Sequence, residues 1–130
     1  MFDLFTETAP EKVRQLSPVT LAFVGDAVYS LYIRKKVVLS CDHKPNDLQK
    51  ITSKEVSAHG QSELLCAIEG KFTEEEAAIY HRGRNAKKTT KSKNASVTEY
   101  NRSTGFEAVL GYLYLTGQYA RISELIEGNI

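Results

Sequence analysis

Two carboxyl groups stand where the surrounding sequence calls for apolar side chains. Over residues 19–33 the one ionisable carboxyl is Asp26, inside "LAFVGDAVYSLYI" (21–33); over 105–115, "GFEAVLGYLYL", the one charge is Glu107. Each run is apolar on all sides of a helical wheel, the pattern of a central, buried helix. An ionised carboxylate in such surroundings is unfavourable unless it gains a cation, a set of hydrogen bonds or a proton. Neither run contains a Lys or Arg, so the two acids are candidates to share one cation. Hard oxygen donors without His or Cys suit Mg²⁺, with Mn²⁺ as the other choice. Such a site activates water and neutralises phosphate charge, the apparatus of phosphodiester hydrolysis. Gly25, beside Asp26, would admit close approach of a second helix or of substrate. The competing reading is that Asp26 and Glu107 cap loops or pair with Lys and Arg elsewhere in the fold.

A basic segment just before the second acidic run favours the cation reading. Between positions 82 and 102 lie Arg82, Arg84, Lys87, Lys88, Lys91, Lys93 and Arg102 against Glu99 alone, a balance of +6, while the rest of the chain sits at −5 for a formal total of +1. A near-neutral protein with one concentrated basic stretch has a place to put a polyanion. That charge would lie next to the candidate metal.

The elements that must carry these residues are helices. The chain has 130 residues, 42% hydrophobic and 25% charged, which fits one domain with a single core over 1–130. No stretch is long and apolar enough to cross a bilayer, and the first residues lack the order of a signal peptide, so a cytoplasmic protein with no membrane partner is expected. Cys41 and Cys66 lie far apart, outside any CxxC pair, and are expected to be reduced and partly buried. No run alternates with period two. A short helix follows Ala9-Pro10, with Val13 and Leu16 on one side. Ser17-Pro18 opens a long helix to about residue 39. Pro45 opens another to about 51, and a further one spans about 54–68 with Val56, Leu64, Leu65 and Ile68 as its apolar set. Thr73 and Glu76 form a capping box for a helix that runs towards Arg82-Gly83-Arg84. Residues 85–96 are nearly devoid of large apolar side chains and read as a loop or fraying helix end. Helix returns at about 97 and stops at Thr116-Gly117, and a last amphipathic helix uses Ile122, Leu125 and Ile126.

"FVGDAV" (23–28) resembles the signature of the ribonuclease III nuclease domain, and "STGFEAVLGYLYL" (103–115) resembles that family's second acidic helix. The likeness extends through "KPNDL" (44–48), "VSAHGQSELL" (56–65) and "RGRNAK" (82–87), is strongest to the Mini-ribonuclease III class, and covers nearly the whole chain. The resemblance implies an all-α helical endonuclease domain, homodimeric, that cleaves double-stranded RNA with Mg²⁺ and leaves 5′-phosphate ends. It also implies precursors of large-subunit (23S) ribosomal RNA as substrate. Carried over by position, Asp26 and Glu107 fall on catalytic, metal-binding acids. The full-length enzymes have another glutamate four residues before the aspartate and an aspartate three before the final glutamate; this chain has Ala22 and Thr104 there. At helical spacing each missing acid would share a face with the retained one. The cation should then depend more on water and RNA phosphate, and bind weakly without substrate.

The full-length enzymes also have a separate RNA-binding domain for which this chain has no room. Arg82, Arg84 and Lys87 are the candidate RNA contacts, with Lys88, Lys91 and Lys93 extending the surface. The other reading of the lysines is a solvated charge run. Tyr112, Tyr114 and Tyr119 read as core or dimer packing, and His43, His59 and His81 as surface or helix-end residues. Asp47 and Gln61 sit in the resembling motifs without an evident role. The alternative function is a non-catalytic RNA-binding or ribosome-associated protein of the same fold, and a remoter one is a helical interaction module whose acids are structural.

Overall fold

The computed structural model describes residues 2–40, 42–87 and 96–127. Cys41, Lys88, Lys91 and Lys93, and with the lysines most of the expected 85–96 loop, lie outside the described residues. The helices are α1 (Pro10–Arg14), α2 (Pro18–Ser40), α3 (Pro45–Val56), α4 (Ala58–Ile68), α5 (Glu74–Asn85), α6 (Val97–Leu115) and α7 (Tyr119–Glu127), with a 3₁₀ turn at Glu69–Lys71 after α4. Among the described residues there is no strand. The all-α expectation holds.

Local chemistry sets most of the boundaries. Prolines occupy the first turn of α1 and α3, where a missing N–H costs nothing. Ser17 Oγ accepts from Thr20 N at 3.1 Å to start α2. The Thr73/Glu76 capping box is present at α5, and a second, Ser96 with Glu99, starts α6. One boundary differs from the sequence reading. Helix α3 continues through the expected break near 52 and ends at Val56, because Ser57 is the residue that stops it: extended at ψ 160, it caps α4 by accepting from Gly60 N. Val56 therefore belongs to α3.

The core forms around α6, which packs against α2, α4, α5 and α7, most extensively against α2. Phe106, Val109, Leu110 and Leu113 are fully or almost fully buried, against Leu21, Tyr29 and Ile33 of α2, Leu65 and Ile68 of α4, and Leu125 and Ile126 of α7. Phe106 meets Tyr29 edge to face at 5.3 Å. Two glycine contacts let α6 come this close. Cβ atoms at Gly25 and Gly111 would lie 1.7 Å from Glu107 O and 1.9 Å from Leu21 O, so α2 and α6 touch backbone to backbone. Gly83 and Gly105 do the same between α5 and α6.

The expectation of two enclosed helices needs correction. Helix α6 is enclosed, but α2 buries one face only: Phe23 is 81% exposed, and Leu31, Val38 and Leu39 are exposed as well. Leu16 is likewise exposed, unlike Val13. The tyrosines are packing residues, as expected. Tyr112 is buried with its hydroxyl on Glu75, and the Tyr114 and Tyr119 hydroxyls donate to Leu4 O and Phe5 O, pinning the N-terminal segment.

Candidate active site

An open cleft of about 810 Å³ lies along the α2–α6 crossing. Its walls include Ala22, Phe23 and Asp26 from α2, Gln61 from α4, Lys87 after α5, and Thr104 and Glu107 from α6. The local cause is the crossing itself. Gly25 rests on the Glu107 carbonyl, so the next residue on α2, Asp26, is carried beside the Glu107 side chain. The two carboxyl groups are within hydrogen-bonding reach of each other. Asp26 is exposed in the cleft and Glu107 half-buried, so the former is not the core residue that the apolar wheel suggested.

Glu107 is electrostatically uncomfortable. Burial comes first and the Asp26 carboxyl second among the influences that push it up from 4.5 to about 8, against a hydrogen bond from Gln61 that lowers it. Gln61 Nε2 lies 3.0 Å from Glu107 Oε2 and 3.0 Å from Val56 O. Among the described residues, none of the side chains that act on Glu107 is a Lys or Arg, and the repulsion between the two acids is left unresolved. A divalent cation would resolve it, and the donor set, two carboxyl groups with no His or Cys, fits Mg²⁺ or Mn²⁺ carrying several waters. Among the described residues no third His, Cys, Asp or Glu joins the pair.

Positions 22 and 104 both line the cleft, where the family's additional acids would point. Ala22 offers no donor atom, and the Thr104 hydroxyl donates to Tyr100 O at 3.1 Å along its own helix.

The basic candidates divide. Lys87 lines the cleft; Arg82 is exposed on α5. Arg84 instead lies over the Tyr80 ring at 5.8 Å and lines a separate pocket with Asn101 and Arg102. Arg102 is a packing residue, donating to Ser62 Oγ at 3.0 Å and pairing with Glu69 at 3.5 Å. His59 bridges helices by pairing with Glu63 and Glu99, which is the helix-end role expected of it. Cys66 is a free thiol, exposed where partial burial was expected.

Gln61 is the site residue to which the sequence reading gave no role. It sits at helical spacing with Leu65 and Ile68, on the apolar stripe of α4, and is 2% exposed. An amide on a core stripe demands hydrogen-bond partners, and that pattern was the available signal.

Comparison with known proteins identifies the family. The Ribonuclease III domain model matches residues 19–118. Mini-ribonuclease 3 of Thermoanaerobacter sp. is 49% identical over 92% of this chain and 84% of its own length. Mini-ribonuclease 3 of Streptococcus pneumoniae is 47% identical over 88% of this chain and 91% of its own. A crystal structure of a Fusobacterium nucleatum protein superposes with a TM-score of 0.79 at 31% identity, covering 89% of this chain and 93% of that one. With the family model spanning both acidic helices and relatives this similar over nearly their full length, the chain belongs to the ribonuclease III family of endoribonucleases, and its relatives are Mini-ribonuclease 3 proteins.

Proposed function

We propose that the protein is a Mg²⁺-dependent, homodimeric endonuclease for double-stranded RNA, with Asp26 and Glu107 as the catalytic and metal-binding acids and 5′-phosphate ends on its products. The observation that carries this reading is the meeting of the two carboxyl groups in an open cleft, where no Lys or Arg among the described residues pairs with either. Mn²⁺ suits the same donors.

A bound divalent cation would supply an acidified water and offset the charge of the scissile phosphate. Glu107, held at one oxygen by Gln61, keeps its carboxyl aimed along the cleft. Asp26 presents the opposing oxygens from α2 and remains open to the cleft for substrate. Lys87 brings positive charge to the same wall, and Arg82 and Arg84 extend the basic surface outside it. The small side chains around the acids, Ala22, Ala58, Ala86 and Ser103, make no base-reading set. This supports recognition of A-form RNA by shape and backbone.

The exposed apolar face of α2 supports the homodimer. Phe23 lies both on that face and at the cleft, so a two-fold partner would sit beside the acids and give two sites, one for each strand. We infer a cytoplasmic role in maturing the large-subunit ribosomal RNA precursor, which rests on the likeness to Mini-ribonuclease III.

The test is incubation with duplex RNA and Mg²⁺ at low salt, comparing the wild type with Asp26→Asn and Glu107→Gln, and then with transcripts carrying the ends of the large-subunit precursor. Cutting by the wild type that both substitutions abolish supports the assignment. Cutting that survives either substitution sinks it.

A further inference from the structure

Gln61 has one polar end satisfied and one empty. The amide orientation is fixed by chemistry, because Val56 O is a carbonyl and accepts only; the nitrogen must face it and the oxygen must face away. Oε1 is then buried with no donor among the described residues. A buried acceptor left in that state is unfavourable, a penalty that a leucine of similar size would avoid. The side chain is held by the two hydrogen bonds its nitrogen donates, to Val56 O and to Glu107 Oε2. It lines the cleft together with Asp26 and Glu107.

The orphaned oxygen matters because of what the neighbouring positions lack. Ala22 has no donor atom, and the Thr104 and Ser103 hydroxyls are turned back onto Tyr100 O. Neutral amide oxygens are ordinary partners of hard cations and of the waters they carry. Resting on the reading of Asp26 and Glu107 as metal-binding acids, we propose that Gln61 orients the cation's surroundings: Oε1 would accept from a water that the cation carries, while Nε2 holds Glu107 Oε2 in position. Gln61 is thereby a positioning residue, acting through that water and through Glu107.

Metal binding can be read without catalysis by titrating Mn²⁺ and following the free ion by electron paramagnetic resonance. The proteins to compare are the wild type, Asp26→Asn, Gln61→Leu and Gln61→Met, each with a thermal melt. Removal of partners of this kind weakens metal binding by about 10–100-fold, the loss expected of Gln61→Leu. Gln61→Met, of the same length and without a polar end, should show the same loss, with a melting temperature that rises less than the wild type's on adding the ion. In cleavage, Gln61→Leu should lower kcat and leave KM for duplex RNA unchanged. A folded Gln61→Leu with wild-type Mn²⁺ affinity, alongside an Asp26→Asn that has lost it, overturns the role of Gln61 and leaves the acids intact. Unchanged affinity in Asp26→Asn and Gln61→Leu together overturns both. Should Gln61→Leu fail to fold, Gln61→Met decides: wild-type Mn²⁺ affinity overturns the proposal.

Discussion

Gly25 of α2 lies against the main-chain carbonyl of Glu107 on α6, so closely that a methyl group there would be 1.7 Å from the oxygen. One contact thus sets two distances: how near the helices come, and how near the carboxyl of Asp26 comes to that of Glu107. The glycine and the aspartate adjoining it form a single device, the first making the crossing and the second using it.

Gly25→Ala should therefore damage stability and activity together. The added methyl meets backbone, which cannot rotate away, so α2 must lift from α6. Overpacking of this kind costs about 1–3 kcal/mol, and more where main chain must move. Urea unfolding should show a loss of at least that size. Mg²⁺-dependent cleavage should fall further than the unfolded fraction explains, because the acids separate. Wild-type stability in this variant would contradict the crossing.

Glu107 gives a pH dependence whose sign can be worked out. Its folded value, pushed up to about 8 first by burial and then by Asp26, lies above the 4.5 of an ordinary glutamate. Between those limits the native state holds a proton that the unfolded chain has released, so stability falls as pH rises from about 4.5 to about 8 and then levels. We predict that in EDTA the melting temperature of Glu107→Gln gains on the wild type steadily between pH 5 and about pH 8, and no further by pH 9. The full effect is a few kcal/mol, at about 1.4 kcal/mol per pH unit. Saturating Mg²⁺ should close the gap, since the cation favours the ionised wild-type pair. A gap that does not change with pH would remove the buried-acid account.

Much of this was legible in the sequence because the informative residues act locally. Pro18, Thr73 and Glu76 set helix starts wherever they occur, and Asp26 and Glu107 stand out against apolar neighbours. The misread features depend on tertiary contact. A wheel apolar on all sides does not distinguish the enclosed α6 from α2, which leaves Phe23 and Leu31 outside. Arg84 and Lys87 are three residues apart in one basic motif, yet they line different pockets because α5 ends between them. Gln61 needed its partner, Glu107, which lies 46 residues away and on another helix.

The division between Lys87 and Arg84 is measurable. Lys87, at the cleft, should contact an RNA phosphate directly, so Lys87→Ala should weaken duplex binding and reduce the salt slope by about 1. Arg84→Ala removes a group lying over Tyr80 and should change the slope less. Filter binding of a duplex across a range of NaCl reads both slopes. Equal effects would mean that the RNA covers both pockets.

Stability at a distance from the cleft should depend on Arg121. It forms a two-point pair with the buried Glu76, Nε to Oε2 at 2.9 Å and Nη2 to Oε1 at 2.8 Å, and also donates to Lys71 O at 2.7 Å. Burial alone would raise the Glu76 carboxyl, but Arg121 and the Thr73 N–H bring it below its ordinary value. A depressed carboxyl stabilises the fold above its unfolded value and loses that contribution as pH falls through the folded one. Arg121→Met strands the acid and should cost about 3–5 kcal/mol at neutral pH, less in acid, where Glu76 is protonated. Cleavage by the fraction that remains folded should be unchanged, since neither residue lines the cleft. A uniform loss across pH would show that packing, not charge, is at stake.

The exposed face of α2 makes the sharpest prediction about assembly. Phe23 is 81% exposed, Leu31 64% and Val38 57%, at helical spacings that put them along one side of the helix. A row of large apolar side chains in water is the mark of a covered surface, and Phe23 ties that surface to the cleft. Leu31→Lys leaves the cleft lining untouched and places a charge, unpaired, where two copies would meet. By sedimentation at micromolar concentration the wild type should be a dimer and the variant should dissociate at least about 10-fold more readily, the equivalent of about 1.4 kcal/mol. Cleavage by Leu31→Lys should fall at low protein concentration and return as concentration rises, because each site is intact but lacks its neighbour. A wild type that sediments as a monomer while cutting both strands would end the dimer reading.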